Sequence, residues 1–158
     1  MNKTIKEKIE KSAVATAGIA LIVAVVFACT GIAALIGVFK FDIITSAADY
    51  AGIAAESIML MTIAIICFNM FRRIAKCGTP FSEYNVKSLR VIALITIAKT
   101  IVTPTVVVIT LSILSGRLMV EGFTFDMTAS LVVGGLLMVL ANIFNYGYML
   151  QQESDETL

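Results

Sequence analysis

SAVATAGIALIVAVVFACTGIAALIGVF, from Ser12 to Phe39, is a run of 28 residues without a charge, bounded by Lys11 and Lys40. About 20 apolar helical residues cross the hydrocarbon core of a bilayer, so this run spans it with length to spare. It is too long for the apolar region of a cleaved signal peptide and reads as an uncleaved signal-anchor helix. Three further stretches repeat the pattern. The second runs near Asp49 to Phe71 and is interrupted by Glu56. The third runs from about Lys87 to Ser115 and encloses Lys99. The fourth starts near Thr128, inside the charge-free interval Met127 to Gln152. A soluble four-helix bundle needs a charged face on every helix, whereas these stretches are apolar all round. The expectation is an all-α integral membrane four-helix bundle forming one domain over residues 1–158. Its spans lie at about 13–38, 49–72, 87–115 and 128–150, with a connecting loop at 73–86 and a tail at 151–158.

The composition agrees: 59% of the 158 residues are hydrophobic and 15% are charged, far from the soluble average. There is no histidine, which excludes Ser-His catalysis and His-based zinc sites. No catalytic set, metal site or cofactor site assembles, so an enzyme is not expected. Absence of tryptophan and a net charge of +1 argue against direct nucleic-acid binding. Cys29 and Cys67 fall within spans and Cys77 in a reducing compartment, so disulfides are not expected. Lys3, Lys6, Lys8 and Lys11 precede the first span, and Arg72, Arg73, Lys76, Lys87 and Arg90 fall between the second and third. The two opposite loops carry only Lys40 and Arg117. Positive charge stays in the cytoplasm, so both termini and the 73–86 loop face inward.

Two charges sit where lipid tolerates them poorly: Glu56 and Lys99. At about 100° per residue, Thr96, Lys99, Thr103 and Thr110 share one helix face. Pro104 beside them predicts a kink, since its missing N–H frees the carbonyl of Thr100. On the fourth span Thr128, Gly135, Asn142 and Tyr146 share a face with Asn145 at its edge. Glu56 lies 16 residues from Arg72, or about 24 Å above the cytoplasmic boundary; Lys99 lies about 14–18 Å above it, and Asn142 about 14 Å. Side chains lean toward their helix N-terminus, which carries Lys99 inward and Glu56 outward. The expectation is therefore a polar cluster of Lys99, Asn142, Asn145 and Tyr146 in the cytoplasmic half, flanked by Thr96 and Thr103. Glu56 is expected to look toward the outer mouth near Asp49. A direct Glu56–Lys99 pair requires tilt or kinking.

The inter-span loop is structured: Gly78 and Pro80 break the second helix, Ser82 caps the third, and Glu83 suits its first turn. Together with the acidic tail residues Glu153, Asp155 and Glu156, the residues Arg72, Arg73, Lys76, Gly78, Pro80, Phe81, Lys87 and Arg90 make a candidate cytoplasmic partner surface. Two motifs here resemble a known family. CGTPFSEYNVKSLR (Cys77–Arg90) and NYGYMLQQESDETL (Asn145–Leu158) are similar to the two signatures of the bacterial "domain of unknown function 2975" membrane proteins. They are a Gly-x-Pro-Phe turn between spans two and three and a Tyr-Gly…Leu-Gln…Glu…Asp-Glu-Thr-Leu ending. The resemblance implies four spans in a bacterial cytoplasmic (inner) membrane and no general activity. It also implies, by association, a small helix-turn-helix regulator as partner. The leading expectation is a non-enzymatic sensor or sequestering partner of such a regulator, with the lipid bilayer as its other partner. The alternative is a small transporter, channel or immunity protein using Glu56 and Lys99, for which a homo-oligomer would be needed.

Overall fold

The computed structural model describes residues 3–40, 44–116 and 125–156. Each apolar stretch forms one continuous helix: α1 (Lys3–Lys40), α2 (Ile44–Cys77), α3 (Glu83–Ser115) and α4 (Phe125–Glu156). All four are long and apolar enough to cross a membrane, and the described residues contain no strand. The helices overrun the charge-free runs that announce them. Charge marks where lipid ends, whereas backbone hydrogen bonding continues into the aqueous flank. In α1 the overrun is reinforced by an i,i+4 pair, Lys11 to Glu7 at 2.9 Å.

The α2–α3 turn shows why the chain reverses here. Gly78 adopts φ 70°, a left-handed conformation in which only glycine carries no Cβ penalty. Its N–H donates to the Ile74 carbonyl at 2.8 Å and closes α2. Ser82 is extended, and its Oγ accepts from Asn85 N at 3.3 Å to open α3. The buried Asn85 amide donates to the Pro80 carbonyl at 2.8 Å and holds the turn from inside.

The helices pack in chain order, α1 on α2, α2 on α3 and α3 on α4, while the α1 and α4 backbones stay apart. Three seams are therefore closed and the fourth is open. Lipid gives no hydrophobic drive to join helices, so contacts depend on small side chains that permit close approach. Ala13, Ala17, Ala24 and Ala34 of α1 are buried, and Thr30 Oγ1 meets Ser57 Oγ at 3.3 Å across the α1–α2 seam. Ala13, Met70, Ile74, Leu89 and Ala141 join all four helices near the α2–α3 turn. The described ends Lys3 and Glu156 thus belong to the same end of the bundle as that turn.

Gly134 and Gly135 on α4 make a natural paired test. A Cβ on Gly134 would lie 2.5 Å from Ile97 Cγ1 and 3.2 Å from the Ala93 carbonyl oxygen, whereas one on Gly135 meets nothing within 4 Å. Gly134→Leu is expected to cost about 1–3 kcal/mol by overpacking the α3–α4 seam. Gly135→Leu is expected to leave the melting temperature of the detergent-purified protein unchanged. Equal melting of the two variants would place this seam elsewhere.

Candidate functional site

α2, α3 and α4 converge on one ammonium group. Lys99 Nζ on α3 lies 2.5 Å from Glu56 Oε1 on α2 and 3.4 Å from Asp126 Oδ2 on α4. The Lys99 side chain is 11% exposed, Glu56 33% and Asp126 71%, so the pair is sheltered by the bundle and the third partner opens outward. Asp126 stands in the first turn of α4, where a carboxylate also suits the helix dipole. Lys99 is the midpoint of α3 and Asp126 the second residue of α4, so the triad ties the middle of α3 to the start of α4, which lies on the side away from the turn.

This corrects the expected cluster. Lys99 pairs directly with Glu56, and neither residue turns to the partners predicted for it. Asn142 is exposed, Tyr146 is 64% exposed, and Asn145 is half-buried, while the ammonium of Lys99 is taken by Glu56 and Asp126. The expected depths count Glu56 from Arg72, Lys99 from Arg90 and Lys87, and Asn142 from Gln151, as if those residues shared one level. The structure instead stacks the Arg73 guanidinium over the Tyr84 ring, 3.8 Å from its centroid. From that level Glu56 lies 17 residues along α2 and Lys99 15 along α3, a difference of about 3 Å, well within a lysine's reach. On α4, Gly134 abuts Ile97; Asn142 lies eight residues from there toward the turn, and Lys99 two residues the other way. The two are therefore about 15 Å apart. Glu56 faces Lys99 rather than Asp49, which is exposed. Thr96 is half-buried and donates to the Ile92 carbonyl at 2.8 Å, while Thr103 lines a small cavity beside Lys99.

At the opposite end, Arg72, Arg73, Lys76, Lys87, Arg90, Glu153 and Glu156 are exposed. The side chain of Asp155 lies outside the described residues, as do residues 157 and 158. Three members of the expected partner surface are used inside the chain. Gly78 is buried in the turn and Pro80 lines a cavity. Phe81 covers Gly147, where a Cβ would meet its ring at 2.8 Å, and packs on Phe144 with centroids 5.4 Å apart. Thr79 Oγ1 adds a hydrogen bond to Gln151 Oε1 at 3.3 Å. The Gly-x-Pro-Phe turn and the Tyr-Gly…Leu-Gln ending therefore touch each other and clasp α4 to the turn.

Asp126 was missed because the fourth span was started near Thr128, two residues too late. Its signal is present: an acid immediately before the charge-free run Met127 to Gln152.

This arrangement defines a polytopic helical membrane protein with a charged triad between three of its four helices. Residues 45–158 match the family model described as a protein of unknown function (DUF2975), and the chain belongs to that family. The matched segment takes in α2, α3 and α4. No match was found among curated proteins, nor among solved structures.

Removing one member of a sheltered ion pair strands the other, at a cost of about 3 kcal/mol. Lys99→Met strands Glu56, whereas Glu56→Gln leaves Asp126 to pair with Lys99, so Lys99→Met is expected to destabilise more. The double variant Glu56→Gln/Lys99→Met should recover part of the loss. Thermal unfolding of the four proteins in one detergent measures the coupling; strictly additive effects would remove the pair from the account.

Proposed function

We propose that this protein is a non-enzymatic sensor or sequestering partner of a cytoplasmic helix-turn-helix regulator, held in a bacterial inner membrane with both termini inward. The observation that carries this reading is the charged end of the bundle. Arg72, Lys76, Lys87 and Arg90 project from the ends of α2 and α3, next to the acidic end of α4. These side chains stand on a base fixed by the Phe81–Gly147 clasp and the Thr79–Gln151 hydrogen bond. A surface whose backbone is already ordered loses little entropy on binding, which favours a specific partner over a loose electrostatic one. The lysine and arginine distribution supports the inward orientation. The lack of histidine and of any cluster of three metal-binding side chains among the described residues supports a binding role over a catalytic one.

A second reading, a small transporter or channel, is favoured by the Glu56–Lys99–Asp126 triad, since intramembrane charges recur along solute pathways. Four helices with one open seam enclose no pore alone, so this reading requires an oligomer. Flux into proteoliposomes that disappears in Lys99→Met would support it.

Co-purification from detergent separates the two. The regulator is expected to be recovered with the intact chain, and at least tenfold less with a chain lacking Glu153–Leu158 or carrying Arg72→Glu with Lys76→Glu. Equal recovery with all three proteins would remove this surface from the function.

A further inference from the structure

Threonines in an apolar helix ordinarily satisfy their hydroxyl by donating to the carbonyl one turn back. Thr96, Thr105 and Thr110 do this, at 2.8, 2.6 and 2.8 Å from the carbonyls of Ile92, Ile101 and Val106. Thr100 and Thr103 do not. The Oγ1 atoms of both are buried without a hydrogen-bond partner, and Thr100 as a whole is only 6% exposed. Between them and the next turn stands Pro104, whose missing N–H deprives the Thr100 carbonyl of its helical donor. Two hydroxyls without partners and one carbonyl deprived of its usual helical donor thus lie within about one turn of helix.

The residues that carry these groups border a shared space. Lys99, Thr100, Thr103, Pro104 and Asp126 line a cavity of about 110 Å³, more than the ~30 Å³ occupied by one water molecule in the liquid. The charges around it do not balance. Lys99 is one cation between two carboxylates, and it sits closer to Glu56 (2.5 Å) than to Asp126 (3.4 Å). The triad carries a net charge of −1 with all three groups ionised, and the surplus belongs to Asp126, on the cavity wall.

A small negative cavity walled by oxygen selects a hard cation over a soft one. A divalent ion calls for more carboxylates than are here, and no group of three or more His, Cys, Asp or Glu occurs among the described residues. Hydroxyls, one carboxylate and a carbonyl freed by a helix interruption are the donors that intramembrane sites offer to monovalent ions. We propose that the cavity beside Pro104 binds one monovalent inorganic cation of the size of Na⁺. Asp126 supplies its countercharge, and Thr100 and Thr103 supply neutral oxygens. Lys99, anchored by Glu56, holds the far wall and sets the charge left for the ion. The site stands whether the protein signals or transports, so its failure leaves the regulator-binding reading intact.

The test uses the full chain in detergent, with thermal unfolding followed in NaCl, KCl or choline chloride at one ionic strength. Na⁺ is expected to raise the melting temperature against choline, by about 3 °C at tenfold its dissociation constant and with the logarithm of concentration above that. K⁺ is expected to give a smaller shift, and K⁺ matching Na⁺ overturns the size assignment. Thr100→Val replaces the unpartnered hydroxyl by a methyl of equal size. It should abolish the Na⁺ shift while leaving melting in choline equal or higher, which a merely structural hydroxyl would not do. Asp126→Asn should abolish the shift too, and Thr105→Val, whose hydroxyl is already bonded, should keep it. Equilibrium binding of radioactive ²²Na⁺ should saturate at one ion per chain and be displaced by unlabelled NaCl. Equal melting in the three salts, or a Na⁺ shift that survives Thr100→Val, overturns the proposal and leaves the cavity to water.

Discussion

A lysine ammonium taken out of water has to be given acceptors, and Lys99 finds them on both neighbouring helices. That requirement fixes more than one contact. Nζ reaches Glu56 on α2 and Asp126 on α4 only in a narrow band of axial register, so one side chain on α3 sets the relative height of three helices. Apolar lipid-facing contacts cannot do this, since sliding one leucine surface past another exchanges like for like. The small residues of the seams allow close approach, and the ionic triad chooses which close approach is used.

A second tie acts at the turn end. Phe81 against Gly147, with Thr79 against Gln151, pins α4 where the triad cannot reach. Held at both ends, α2, α3 and α4 form a unit, and this is the part of the chain that the family match covers. α1 stands differently: its backbone approaches α2 alone, through alanines and the Thr30–Ser57 contact, and it meets the other helices only through side chains such as Ala13 near the turn. The two short motifs that mark the family are thus largely one structural device seen from its two halves. What remains for partners at that end is the set of exposed charges around it.

The spans were legible because lipid imposes a length and a polarity that 28 uncharged residues satisfy in only one way. Glu56 and Lys99 were equally legible as charges out of place. Their pairing was not, because the depth scale took its zero from charged residues, which occupy a zone rather than a plane. Arg73 and Tyr84 share a level that Arg90 does not, and Gln151 belongs beside Thr79. That shift moved Asn142, Asn145 and Tyr146 out of reach of Lys99. Thr100 was hidden for another reason. Helical spacing puts it within about 40° of Thr96 and about 60° of Thr103, and only hydrogen-bond geometry separates its idle hydroxyl from the satisfied ones.

The length of α4 has a mechanical consequence. Its charge-free run from Met127 to Gln152 is about 39 Å long, against a hydrocarbon thickness of about 30 Å. A helix longer than the hydrocarbon is accommodated by tilting. Any change in membrane thickness therefore changes the tilt of α4. Its first turn carries Asp126, so lipid composition and the charge balance around Lys99 are mechanically connected.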